Sequence, residues 1–265
     1  MDLHTVRAVH RPRDRTELAD LLAHPGCAPL AGGTWLFSEP QDRLEALVDL
    51  TALGWPALEQ RPDGLTIGAT CTLTELAAHP HPLFRTCCRA LAGSFKIWHT
   101  ATVGGNLCLG LPAGPVTALC AALGGTAVVW SGTGERRVPV AGFVTGVRRT
   151  VLRPGEVLRA VEIPAAVLTA PSAFRRAALT VEGRSGAVVI GVREGPGTHG
   201  AGGATALTVT AATTRPHRFV VTGPDDLEAA LAGIDDWYAD PHGAPDWRAH
   251  VTARLAREIL AELGA

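Results

Sequence analysis

The chain has 265 residues, a formal net charge of -1, 46% hydrophobic residues and 18% charged residues. These values exclude a disordered or collagen-like chain, and the lack of any basic block or aromatic-interleaved Arg/Lys stripe excludes the electrostatic footprint of a nucleic-acid binder. The longest apolar stretch, near Ala118 to Trp130, carries Gly124 and Gly125 and falls short of the roughly 20 residues that cross a bilayer, while Met1-Asp2-Leu3-His4 lacks the features of a secretory leader. A cytoplasmic protein without a membrane span is expected.

In chain order, Thr16 is expected to cap an amphipathic helix from Glu17 to His24, with buried strands at Ala28 to Ala31 and Ala46 to Leu50. A Gly/Pro-punctuated passage from Gly54 to Gly64 precedes a strand at Leu65 to Ala69. Thr72 and Glu75 form a capping box for a helix that Pro80 and Pro82 stop, and a second helical run extends from Leu83 to about Phe95. After a glycine-rich loop at Thr102 to Asn106 come a buried helix (Pro115 to Leu123) and strands at Thr126 to Trp130, Arg136 to Val140 and Val157 to Ile163. Pro171 marks a lobe boundary. Beyond it lie strands near Ser172 to Ala178, Ala187 to Arg193 and Ala204 to Ala212, then helices near Asp225 to Gly233 and Asp246 to Leu263. In the last helix Val251, Leu255, Ile259, Leu260 and Leu263 form one apolar stripe, so the final lobe reads as a sheet covered by helices.

Two loops carry the chemistry: Leu30-Ala31-Gly32-Gly33-Thr34 and Ala101-Thr102-Val103-Gly104-Gly105-Asn106. Adjacent glycines let successive backbone N–H groups point into one concavity that can close on a phosphate oxygen. The first loop comes after a strand and is expected to open a short helix at Thr34, adding helix-terminal N–H groups. Two such cups suit a pyrophosphate gripped from both sides, and hence a dinucleotide. Taken alone, each glycine pair is more often a plain turn.

The wording around the second loop, Ala101-Thr102-Val103-Gly104-Gly105-Asn106-Leu107 and then Pro112-Ala113-Gly114, resembles the FAD-binding subunits of molybdenum hydroxylases, the group of the carbon monoxide dehydrogenase medium chain and the xanthine dehydrogenase flavin domain. Ala31-Gly32-Gly33-Thr34, Arg136-Arg137-Val138-Pro139-Val140 with Phe143, Arg153-Pro154-Gly155-Glu156-Val157-Leu158, Thr214-Arg215-Pro216 and the tail from Trp237-Tyr238 to Glu262 extend the likeness. The resemblance implies an α+β fold: a vanillyl-alcohol-oxidase (PCMH)-type FAD-binding domain of two α/β lobes, at 1–54 and 55–168, plus a C-terminal α+β lobe at 169–265. It implies an oxidoreductase subunit active in a hetero-oligomer. A molybdenum cofactor on a large subunit oxidises substrate, iron–sulfur clusters on a small subunit relay electrons, and FAD on this chain passes them to an acceptor. The implied cofactor-binding residues are Leu30, Ala31, Gly32, Gly33, Thr34, Trp35, Ala101, Thr102, Val103, Gly104, Gly105, Asn106 and Ala113. Leu158 and Arg175, the latter where the family places a lysine near the flavin, are expected beside the ring. No catalytic acid or base is assigned, because the isoalloxazine carries the chemistry.

Several polar positions of the family pattern differ. Trp35 stands for an Asp, Trp98 for an Arg, Pro115 for an Asp, Leu179 and Thr180 for paired arginines, and Ser185 for an acidic residue. A flavin-free docking subunit and a free-standing flavin oxidoreductase of the same fold are therefore the alternatives. The six cysteines show no cluster spacing and read as small buried hydrophobes, Cys87 and Cys88 included. His79 and His81 read as a solvated loop rather than a metal site, and Gly195-Pro196-Gly197-Thr198-His199-Gly200 as a hairpin loop rather than a nucleotide fingerprint.

Overall fold

The computed structural model describes residues 3–195 and 203–264. The first sheet comprises β1 (Ala8–His10), β2 (Cys27–Leu30) and β3 (Ala46–Asp49), parallel and ordered β1-β3-β2, with α1 (Arg15–Leu22) between β1 and β2. Asp14, not Thr16, caps α1: its carboxylate accepts the Glu17 N–H at 2.9 Å. The Glu17 carboxylate in turn accepts the Arg13 N–H, so the helix begins one residue before Thr16. β1 escapes sequence reading because three residues show no period.

The second sheet collects β4 (Leu58–Arg61), β5 (Gly64–Gly68), β6 (Thr126–Ser131), β7 (Gly134–Pro139) and β10 (Val157–Pro164) in the order β4-β5-β10-β6-β7, antiparallel throughout. β8 (Val144–Gly146) and β9 (Arg149–Thr150) form a small separate hairpin. Between β5 and β6 the chain runs through α2 (Leu73–Ala77), α3 (Pro82–Arg89), α4 (Phe95–Thr100), α5 (Val103–Leu109) and α6 (Pro115–Ala122). α2 has the expected capping box, with Thr72 and Glu75 each accepting the other's backbone N–H. The continuous helix expected from Leu83 to Phe95 is instead two: α3 ends at Arg89, and Ser94, in extended conformation, starts α4. His81 is buried rather than solvated, and its Nδ1 accepts the Leu83 N–H as the cap of α3. All of α6 is buried, so it has no polar face to read.

The first lobe is tied to the second through Arg15, whose guanidinium donates twice to the Ser131 carbonyl (3.0 and 2.8 Å) and lies over Trp130. Arg159 lies over both Trp55 (4.7 Å) and Trp130 (5.5 Å), whose rings meet edge to face at 5.5 Å.

The third sheet is an antiparallel meander of β11 (Ser172–Ala177), β12 (Ala187–Arg193), β13 (Thr205–Thr210) and β14 (His217–Val221), and after it come α7 (Pro224–Ala232) and α8 (Pro245–Leu263). The β12–β13 connection that contains the Gly195 to Gly200 motif lies, from residue 196, outside the described residues. Strand alternation gives this sheet two apolar faces. Ala187, Val189, Leu207 and Val209 pack under the α8 stripe Val251, Leu255, Ile259, Leu260 and Leu263. Val188, Ile190 and Val192 join the core of the second lobe, against α3 and α6. Arg248 on α8 is wholly buried, donating to the carbonyls of Gly186 (2.6 Å), Gly243 (3.0 Å) and Ala211 and to the Asp240 carboxylate.

Candidate functional site

β2 ends at Leu30, and the chain leaves the sheet through Ala31-Gly32-Gly33-Thr34-Trp35. Gly33 has φ +66°, left-handed backbone that glycine adopts without strain. The Phe37 N–H then closes on the Gly33 carbonyl and the Ser38 N–H on the Trp35 carbonyl, both at 2.9 Å. Thr34 therefore opens a turn, not the expected short helix, because Pro40 and the Ser38 contact leave no room for a second turn. The backbone N–H groups of Ala31, Gly32, Gly33, Thr34 and Trp35 have no acceptor among the described residues. They make a half-buried row of bare donors.

The second loop lies directly against the first. A Cβ on Gly32 would sit 1.6 Å from the Thr100 carbonyl oxygen and 3.3 Å from the Ala101 Cα, so only glycine allows the approach. The two cups thus meet, but the second differs from expectation in two ways. It is the first turn of α5, capped by Thr102, whose Oγ1 accepts the Gly105 N–H at 3.1 Å. Its other amides are also committed: Val103 to the Cys71 carbonyl (2.8 Å), Gly104 to the Ala69 carbonyl (2.7 Å) and Asn106 to the Thr102 carbonyl (3.0 Å). Gly104 is glycine because a Cβ would press on Ala69, whereas a Cβ on exposed Gly105 would meet only Thr102 Oγ1. Asn106 spends its side chain on α6, its Oδ1 accepting the N–H groups of Val116 (3.0 Å) and Thr117 (3.3 Å) where the α6 cap, Gly114, has no side chain to offer.

The remaining sequence candidates lie elsewhere. Leu158 is buried in the second sheet opposite Val129. Ala113 lines a crevice, too tight for water, between α6 and β11 to β13, beside Ser185, whose hydroxyl has no partner among the described residues. Arg175 points to the α8 side of the third sheet, bonding Glu262 at 2.5 Å and Glu258 at 3.4 Å. The next residue, Arg176, faces the other way and lines an open groove of about 580 Å³ with Arg89, Leu91, Phe95, Trp98 and Glu182. Its guanidinium is held by the carbonyls of Gly183 (2.7 Å) and Val181 (3.4 Å). The groove is within the usual size range of small-molecule sites, about 300–1,000 Å³. It borders α4, whose other end is the Thr100 contact with Gly32.

Trp35 completes the first cup. Arg148, from the turn between β8 and β9, lies over its ring at 5.5 Å and is itself paired with Glu39 at 3.0 Å. The Trp35 indole Nε1 is shielded from solvent and has no acceptor among the described residues. Bare amides on one loop, a glycine that only its lack of Cβ seats against the other, and a shielded donor with no partner fit a phosphate-bearing ligand. The thiols nearby are not reactive groups: burial pushes Cys71, Cys88 and Cys108 up to about 12 and raises Cys87 and Cys120 well above the usual thiol range.

Residues 4–166 match the family described as FAD binding domain in molybdopterin dehydrogenase. The carbon monoxide dehydrogenase medium chain of Afipia carboxidovorans is 31% identical over 166 residues, 58% of this chain and 57% of that protein. The putative xanthine dehydrogenase FAD-binding subunit XdhB of Escherichia coli K12 is 31% identical over 166 residues, 58% of this chain and 56% of that one. The chain thus aligns with little more than half the length of these relatives. Among solved structures, reconstituted CO dehydrogenase from Oligotropha carboxidovorans superposes with a TM-score of 0.83 at 24% identity over 97% of this chain and 96% of that one, a likeness of fold.

Proposed function

Because the chain belongs to the family of FAD-binding domains in molybdopterin dehydrogenases, we propose that it is the FAD-binding electron-transfer subunit of a molybdenum hydroxylase. Bound FAD would supply the redox chemistry of its isoalloxazine ring, and this chain its placement and surroundings. The observation that carries the reading is the row of unengaged N–H groups from Ala31 to Trp35, closed by the Gly32 to Thr100 approach. These residues would hold the diphosphate. Leu30 precedes them in the chain, and Ala101, Thr102 and Gly105 would flank the diphosphate, with Val103, Gly104 and Asn106 supporting them from within the fold.

The groove between α4 and β11 would take the ring end of the cofactor, about one short helix, or roughly 9 Å, from the diphosphate cup. There Arg176, rather than Arg175, would be the cation facing the ring. The three sheets support a division into lobes at 1–54, 55–168 and 169–265; the diphosphate would lie between the first two and the ring end between the second and third. The names of the relatives, a medium chain and an FAD-binding subunit, support assembly with other chains. We assign those partners as an iron–sulfur small subunit and a molybdenum-cofactor large subunit in the cytoplasm.

The test is titration of the purified chain with FAD. One tightly held flavin per chain is expected, and it should stay oxidised in the presence of hydroxylase substrate until partner subunits are added. Folded, colourless protein that takes up no FAD would overturn the reading in favour of a flavin-free docking subunit, which the commitment of the α5 amides to the fold favours. Reduction by substrate without partners would instead make the chain a free-standing oxidoreductase.

A further inference from the structure

We infer that the indole N–H of Trp35 is a hydrogen-bond donor to a phosphate or ribose oxygen of the bound dinucleotide; this rests on the FAD reading above. An indole nitrogen can only donate, and Trp35 Nε1 is shut off from solvent with no acceptor among the described residues. A shielded donor left without a partner is costly. Neighbouring groups hold the ring still. Arg148 covers one face and is pinned by Glu39, while the Ser38 N–H and hydroxyl both donate to the Trp35 carbonyl, at 2.9 and 2.7 Å. The donor is therefore set before a ligand arrives, and little side-chain freedom is lost when it engages. In the chain Trp35 comes directly after the bare amides of Ala31 to Thr34, and its own backbone N–H is bare as well.

The experiment replaces Trp35 by Phe, which keeps a ring under Arg148 and deletes only the N–H edge. FAD binding is monitored by quenching of flavin fluorescence, and the stability of the FAD-free protein by thermal unfolding. The expected pair of results is a dissociation constant about ten-fold weaker, equivalent to about 1.4 kcal/mol, with a melting temperature of the FAD-free protein that is unchanged or higher because an orphaned donor is gone. A variant that folds and binds FAD as tightly as the wild type overturns the inference. Spectra of wild-type protein with ¹⁵N-labelled tryptophan do not depend on the variant folding. FAD addition should move one indole N–H signal downfield, and six unmoved indole signals would equally overturn the inference. Wild-type protein that takes up no FAD would defeat the parent reading instead.

Discussion

Glu156 sits at the turn before β10, and the structure gives a number to what it contributes. Its Oε1 accepts from Arg136 Nε at 2.8 Å, and its Oε2 accepts from Arg136 Nη2 at 2.6 Å and from the Arg153 N–H at 2.8 Å. The bidentate Arg136 hydrogen bonds, against the opposing effect of burial and with help from the Arg153 N–H, hold this carboxyl down to about 2 from its ordinary 4.5. The carboxylate is 7% exposed and its partner 31%, so solvent screens the pair only in part. By linkage, a carboxyl with a depressed value in the folded state adds stability above the unfolded value, about pH 4.5, and loses it as pH falls through the folded value near 2. The difference corresponds to about 3 kcal/mol at neutral pH, or about 2 to 3 once the exposed end of Arg136 is discounted. Glu156→Gln keeps the shape and one acceptor but not the charge. Thermal unfolding at pH 7 should drop by about 5–10 °C, and the variant should lose about 2 to 3 kcal/mol less than wild type between pH 4.5 and 2. A melting temperature within 1 or 2 °C of wild type at pH 7, or an identical acid limb, would refute the reasoning.

Gly32→Ala would drive a methyl group into the Thr100 carbonyl; FAD affinity should fall at least ten-fold by fluorescence titration, and an unchanged affinity would show that the two loops need not touch. Arg248→Met leaves Asp240 and three carbonyls without their buried partner, so urea unfolding should register a loss of about 3–5 kcal/mol. His79 and His81 titrate below their ordinary value, chiefly through burial, and both Nδ1 atoms act as acceptors. Stability should therefore be complete above about pH 6.5 and decline as pH falls below it; His81→Asn, a cap that does not titrate, should flatten that decline. Arg176→Gln should alter the spectrum and reduction potential of bound flavin while Arg175→Gln leaves both within error, and equal effects would remove the groove from the ring's side.

The features legible in the sequence were local. The Thr72 and Glu75 box, the apolar stripe of α8 and the largely apolar make-up of α6 each arise from residues within one element. The two glycine loops were legible from their wording, and the structure brings them into contact at Gly32 and Thr100. The features that escaped depend on partners distant in the chain. Nothing near Val103 and Gly104 says that Cys71 and Ala69 consume their N–H groups, and nothing near Gly114 says that Asn106 caps α6. Arg175 and Arg176 show how a single step along a strand changes the outcome: one faces α8, the other the groove, and only the pairing register decides which. The expected helix at Thr34 failed because adjacent glycines specify a tight bend but leave the conformation of the next residues open.

The third sheet, wedged with one side under α8 and the other on α3 and α6, has a consequence for dissecting this protein. The sequence signature of the family stops at residue 166, yet a fragment cut there would strip Val188, Ile190 and Val192 from the second lobe and bare part of the wholly buried α6 to water. Such a piece should be sticky and short-lived even with both glycine loops intact. The C-terminal hundred residues are therefore packed into the same cooperative unit as the second lobe, and neither part is expected to stand well without the other.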